Sequence, residues 1–189
     1  MDLEELDLLL DEAEEAMKRA VEAIRREFAS IRTGVASLSL LDNIKVECYG
    51  TVSQLNQIST ISAPEPKLLM IQPWDKTVIS NIEKAIYASD LGLTPINDGK
   101  VIRLRIPSLT EERRIELAKL IGKLGEEGKV SIRRTRSETN KTLSKMEKDK
   151  LISEDDRISY EKKVQKITDD YCEEIDKLID KKKEELMKE

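Results

Sequence analysis

The 189-residue sequence predicts an α+β protein of two domains. One is an elongated antiparallel three-helix bundle; the other, a small α+β domain of about four strands and one helix, is inserted between helices 1 and 2. Three observations lead to this reading. An apolar stripe of helical period stops at Ile31 and resumes near Thr110, and the segment between changes to the two-residue period of strands. Short connectors containing glycine or proline flank that segment at both ends. The boundaries are 1–31 and 108–189 for the bundle and 32–107 for the insertion, with connectors at 32–35 and 106–109.

The first helix carries its stripe on Leu3, Leu6, Leu10, Ala13, Met17, Ala20, Ile24, Phe28 and Ile31, a 3-4-3-4 spacing that marks a core or coiled-coil seam. Thr110 is placed to cap a second helix opening with Glu111 and Glu112 and running to about Lys150. Its length corresponds to a rod of roughly 60 Å at about 1.5 Å per residue. Ser153 starts the third helix, with Asp156 in capping-box position and further carboxylates in the first turn, where the helix dipole favours them. Tyr160, Val164, Ile167, Tyr171, Ile175, Leu178 and Leu186 form its apolar face. No helix can bury its stripe alone, so the three pack together.

In the insertion, Ile44 to Tyr49 and Val101 to Ile106 alternate, Ser59 to Ser62 is short and β-branched, and Lys67 to Gln72 is almost continuously apolar. Lys76 to Ser89 predicts one amphipathic helix buried through Val78, Ile79, Ile82, Ile86 and Tyr87. Gly50, Pro64-Glu65-Pro66, Pro73 and Asn97-Asp98-Gly99 mark turns, and the only tryptophan, Trp74, is expected to pack under a loop.

Composition excludes several function classes. Histidine is absent, which removes Ser/His/Asp and Cys/His triads and every histidine metal motif. Cys48 and Cys172 lie in different predicted domains and are read as buried or half-buried thiols, without a disulfide framework or zinc site. The start Met1-Asp2-Leu3-Glu4-Glu5 is acidic, unlike a leader peptide, and no transmembrane run follows; the expectation is a cytoplasmic protein. Neither a cofactor nor a metal is expected.

The net charge of −5 conceals segregation along the chain. Residues 1–30 carry 4 basic against 10 acidic side chains and residues 151–189 carry 9 against 13, whereas residues 100–150 carry 15 against 8. Within the basic helix, Ile132, Thr135, Thr139, Leu143 and Met146 face inward. Lys129, Arg133, Arg136 and Asn140 gather beside them within an arc of roughly 60°. Guanidinium groups grip phosphates bidentately and an amide can reach a base edge or ribose, so this face suits structured RNA. The competing reading is a solvated face with ion pairs to the acidic third helix, and Arg134, Lys141 and Lys145, which point elsewhere, fit that reading. The Gly122, Gly125 and Gly128 cluster is costly in a helix and reads as a kink or a weak patch.

Thr33, Gly34 and Val35 in one connector and Ile106, Pro107 and Ser108 in the other give paired links with few accessible bend angles. They are either a fixed elbow or a hinge.

Taken in order, Ile31-Arg32-Thr33-Gly34, Tyr49-Gly50, Ala85-Ile86, Ser89 to Leu93, Leu109 to Arg114 and Arg133 to Asn140 resemble the bacterial ribosome recycling factor family over essentially the whole chain. The resemblance implies an L-shaped, tRNA-like protein whose bundle lies on large-subunit rRNA of a terminated ribosome. It implies action with elongation factor G and GTP hydrolysis to separate the subunits, no catalysis of its own, and no membrane or DNA partner; a monomer is expected. Family members carry Arg-Asn-x-Arg-Arg-Asp-x-Asn where this chain has Arg133 to Asn140. Arg133, Arg136 and Asn140 match, while Arg134 and Ser137 depart from it. Arg32 keeps its match in the Arg-Thr-Gly-Arg elbow, where Val35 replaces the last arginine. With Lys129, which helical geometry groups with them, the expected rRNA-binding set is Lys129, Arg133, Arg136, Asn140 and Arg32. Two rival readings are a non-enzymatic coiled-coil adaptor or chaperone-like scaffold that binds protein, and a carboxylate-dependent nuclease or hydrolase. The latter needs converging acidic groups, whereas residues 31–99 hold only seven, scattered along the insertion.

Overall fold

A computed structural model of the chain describes residues 3–188, except the Leu3 side chain; the expectations placed on Met1, Asp2 and the Leu3 side chain lie outside the described residues. In chain order the elements are α1 (Leu3–Ser30), β1 (Lys45–Cys48), β2 (Thr51–Gln54), α2 (Leu55–Ile58), β3 (Ser59–Glu65), β4 (Leu68–Pro73), α3 (Ile79–Ala88), β5 (Pro95–Asn97), β6 (Ile102–Arg105), α4 (Glu111–Lys148) and α5 (Glu154–Met187). Two compact units result. The chain up to Ile31 joins Ile115–Glu184 in the first, and Arg32–Arg114 with the segment from Glu185 forms the second.

The first unit is a three-helix bundle. Its core draws Leu6, Ala13, Met17, Val21, Ile24 and Phe28 from α1, Leu117, Ile121, Ile132 and Leu143 from α4, and Tyr160, Val164, Ile175 and Ile179 from α5. Helix directions follow from the cross-contacts. The Tyr160 hydroxyl donates to Asp7 at 2.5 Å and Arg25 pairs with Glu174 at 2.5 Å, so α1 and α5 run the same way. Arg157 pairs with Glu147 near one end of α4 while Ile179 lies over Gly125 nearer the other, so α4 runs against α5. The caps form as their sequences dictate. Thr110 Oγ1 accepts from the Arg113 amide at 3.2 Å, and the Ser153 and Asp156 side chains each accept from the other's amide at 3.1 Å. Lys150, at φ 58°, closes α4 in the left-handed conformation.

Two of the three clustered glycines are packing positions and neither kinks the helix, which is continuous through them. A Cβ on Gly125 would lie 2.3 Å from Ile179 Cδ1, and one on Gly128 would lie 2.6 Å from Ile24 Cγ1. Branched side chains from both neighbouring helices therefore rest directly on the α4 backbone. Gly122 has only Lys183 Nζ near it, at 3.8 Å.

The second unit contains an antiparallel four-stranded sheet of order β3-β4-β6-β5, a separate β1-β2 hairpin, and α3 packed against β1 and β5. Leu69 pairs with Leu104 and Ile71 with Ile102, and all four are fully buried beneath Ile82 and Ile86 of α3. Six strands form where about four were expected, because β2 and β5 add to those read from the sequence. Pro64-Glu65, expected as part of a turn, instead ends β3; an edge strand tolerates a residue that has no N–H to donate. The helix expected from Lys76 opens as a 3-10 turn, Lys76–Val78, before α3 begins. Tyr87 lies on the exposed side of α3, away from the core. Trp74 also corrects its expectation: it is 67% exposed, with the indole N–H donating to Thr60 Oγ1 at 2.9 Å. Cys48 is buried and Cys172 half-buried, and both are free thiols.

Both connectors are built into this second unit. Gly34 adopts φ 77°, a conformation that favours glycine, and a Cβ there would also press on Leu109 Cγ at 3.1 Å. The Ile106 amide donates to the Lys67 carbonyl at 2.8 Å, the Lys67 ammonium donates to Ser108 Oγ at 2.7 Å, and buried Thr33 reaches Glu185 at 3.5 Å. Val35 and Pro107 line one apolar cleft with Leu91 and Leu93.

Candidate nucleic-acid interface

The basic face of α4 is set by its buried stripe. With Ile132, Thr139 and Leu143 inside, Arg133 and Arg134 are exposed, while Arg136 and Asn140 sit half-buried at the edge of the core. Thr135 and Thr139 return their hydroxyls to carbonyls one turn earlier, at 3.3 and 2.9 Å, leaving α4 unbroken through the basic stretch.

The expected group divides on inspection. Lys129 is only 12% exposed and its ammonium lies 2.7 Å from both Asp176 on α5 and Glu126 on α4. The hydrogen bond to Asp176, followed by that to Glu126, raises its pKa above the usual lysine range. Here the acidic third helix neutralises the cation, as the competing reading required. Arg32 is likewise committed, within the second unit: its guanidinium donates to the Leu91 carbonyl and, at 2.8 Å, to the Asp90 carbonyl, tying down the segment after α3.

Arg133, Arg136 and Asn140 keep hydrogen-bonding capacity. Arg133 makes no side-chain hydrogen bond or ion pair among the described residues, and with Lys129 it counteracts the burial that pushes the Cys172 thiol upward. Arg136 donates to Gln165 Oε1 at 3.2 Å, and Gln165 in turn donates to Asp169 at 2.8 Å, so the guanidinium is oriented through a neutral amide and is not discharged. Asn140 is half-buried, and its Oδ1 is buried without a partner, so the amide retains unused hydrogen-bonding capacity. An exposed arginine, a held arginine and an amide donor on one helix face can bind phosphate oxygens.

Reasoning from the helical wheel missed a continuation of this surface. Arg136, Ser137, Asn140, Lys141, Ser144 and Lys145 line one open depression, so Lys141 and Lys145 belong with the face from which they were separated. Their four-residue steps, Ser137 to Lys141 and Lys141 to Lys145, were the available signal. Among the described residues, no group of three or more Cys, Asp or Glu side chains is placed to hold a metal, and no helix is long and apolar enough to cross a membrane.

The sequence profile of ribosome recycling factors matches residues 11–187. The chain belongs to the ribosome recycling factor family. It is 48% identical over 182 residues to the ribosome-recycling factor of Desulfatibacillum aliphaticivorans, covering 96% of this chain and 98% of that one. To the ribosome-recycling factor of Lactobacillus johnsonii it is 50% identical over 178 residues, covering 94% and 96%. Among solved structures, a ribosome recycling factor in solution matches with TM-score 0.80 and 43% identity over 97% of each chain. A T. thermophilus ribosome recycling factor, placed with E. coli elongation factor G on the E. coli post-termination complex, matches with TM-score 0.67 and 42% identity over 97% and 99%. The family's helical bundle and small sheet domain are those described above.

Proposed function

We propose that this protein recycles ribosomes: it binds the post-termination ribosome through large-subunit rRNA and, with elongation factor G and GTP hydrolysis, separates the subunits. The likeness over nearly the full length to a recycling factor placed with elongation factor G on a post-termination complex carries this reading. The protein performs no covalent step of its own and works as a cytoplasmic monomer. Its bundle, 1–31 and 108–189, is the part that holds rRNA. Arg133, Arg136 and Asn140 make the contacts, whereas Lys129 and Arg32 serve the protein's own structure, because their donors are already engaged. The inserted unit, 32–107, moves when the translocase acts on it, pivoting where the connectors 32–35 and 106–109 meet the bundle.

Removing one charge-assisted hydrogen bond to phosphate costs about 1.5–3 kcal/mol, so Arg133→Ala should weaken ribosome binding at least tenfold while leaving helix content unchanged. Because Arg133 is exposed and unpaired, its removal leaves no orphaned partner. An affinity equal to that of the unmodified protein would remove Arg133 from the interface. Subunit splitting measured on purified post-termination ribosomes, with and without elongation factor G and GTP, tests the function itself. Splitting that proceeds equally well without the protein would refute it.

A further inference from the structure

We propose that the depression on α4 beyond Arg136 is a second phosphate-binding subsite, in which Lys141 and Lys145, with Arg136 and Asn140, hold the sugar–phosphate backbone of ribosomal RNA. This rests on the RNA reading above and extends it to residues outside the set expected from the sequence.

Arg136, Lys141 and Lys145 surround small Ser137 and Ser144, and Lys148 with Asp149 closes the far end. No apolar side chain lines the depression. The buried centre of a protein–protein contact is typically depleted of charge, whereas this lining is dominated by cations. The lining is almost entirely hydrogen-bond donors and hydroxyls; the one carboxylate, Asp149, stands at the margin. A cluster of donors suits phosphate oxygens, which only accept.

The cations are also available. Lys141, Lys145 and Lys148 are exposed and make no side-chain hydrogen bond or ion pair among the described residues, in contrast to Lys129, which is held by two carboxylates. The two serines leave room for a phosphate to approach the helix closely, and the lysines reach it from the rims. Side chains on a helix lean toward its N-terminus, so Lys141 covers the surface over Ser137 and Lys145 that beside Lys141. Between Arg136 and Lys148 the lining residues span about 18 Å of α4 measured along its axis. Asn140, half-buried and with an unpartnered amide oxygen, adds a neutral contact that fixes the strand's position beside the core.

The test uses the full chain and purified large ribosomal subunits over a salt series. The double variant Lys141→Gln/Lys145→Gln alters only exposed positions of an intact helix. It should bind roughly tenfold more weakly at moderate salt, and the slope of log affinity against log salt should become shallower by about 1.4–1.8, at about 0.7–0.9 for each phosphate that is no longer neutralised. A control pair, Lys177→Gln/Lys181→Gln on α5, changes net charge equally and should leave the slope unchanged. Equal slopes for the groove variant and the unmodified protein, or an equal reduction in the control, would overturn the proposal. Arg133→Ala measured in parallel separates the two readings: weakening there with none in the groove variant rejects the subsite alone, and no weakening in either rejects the RNA face. A photo-crosslinker at position 144 should attach to ribonuclease-sensitive material, and attachment to ribosomal protein would also overturn the assignment.

Discussion

Replacing each of the three α4 glycines by alanine should change stability with opposite signs. In a helix interior alanine is better than glycine by about 1 kcal/mol, and this gain is common to all three sites. At Gly122 the new Cβ would find only the tip of Lys183 at 3.8 Å, an ordinary contact, so Gly122→Ala should stabilise the bundle by about 0.5–1 kcal/mol. At Gly125 the Cβ would lie 2.3 and 2.6 Å from Ile179 Cδ1 and Cγ1, and at Gly128 2.6 Å from Ile24 Cγ1 and 3.1 Å from Ile175 Cδ1. A terminal Cδ1 can swing aside, but Cγ1 of a β-branched residue in a helix has one strongly preferred rotamer, so relief requires a helix to shift. Overpacking of this kind costs about 1–3 kcal/mol. Gly125→Ala and Gly128→Ala should therefore lie about 1–3 kcal/mol below Gly122→Ala, a difference from which the propensity gain cancels. Urea denaturation followed by far-ultraviolet circular dichroism measures this, with Trp74 fluorescence reporting the second unit as a control. If all three variants are stabilised alike, the close approach of α1 and α5 to α4 is wrong.

Lys129→Met should lower bundle stability by about 1 kcal/mol while changing ribosome affinity far less than Arg133→Ala does, because its partners are Asp176 and Glu126; a drop in affinity matching Arg133→Ala would return Lys129 to the interface. The Tyr160 and Tyr171 hydroxyls donate to Asp7 and Glu14 of α1, and both pKa values are pushed up to about 12, Tyr160 chiefly by its hydrogen bond and Tyr171 chiefly by burial. Their folded values exceed the unfolded value near 10, so the stabilisation is complete below about pH 10 and disappears as pH rises through about 12. The Tyr160→Phe/Tyr171→Phe variant should show a flatter alkaline limb in a pH series of unfolding midpoints, and an unchanged limb would count against both bonds. Ser153→Ala should cost about 1 kcal/mol through removal of the α5 cap, read from the same denaturation curves; no change would mean the cap contributes nothing.

The helices were legible because a 3.6-residue stripe and side-chain caps are local signals, and Thr110 and Ser153 stand at the expected ends. The short strands were less so. β2 and β5 expose most of their residues and carry no apolar alternation, and Pro64 read as a breaker although an edge position has no use for its missing N–H. On the basic face of α4, angles around one helix grouped Arg133, Arg136 and Asn140, which lie exposed or half-buried beside the buried stripe. Angles do not reveal where a neighbouring helix brings a carboxylate, which is why Lys129 stands in the expected rRNA-binding group although Asp176 of α5 pairs with it. Nor do they reveal depth: Lys141 and Lys145 were separated from Arg136 by angle, yet the small serines between them open one shared hollow. The glycine cluster was opaque for a related reason, since the atoms that require it belong to α1 and α5.

The exposed indole of Trp74 gives this chain an intrinsic optical probe. Because it is the only tryptophan, all indole emission comes from a single solvent-facing ring whose N–H is anchored to Thr60. Any molecule that seats over that surface will shift the emission toward the blue, and one that seats elsewhere will leave the spectrum alone. Association at the inserted unit can therefore be followed in unlabelled protein, separately from events on the helices.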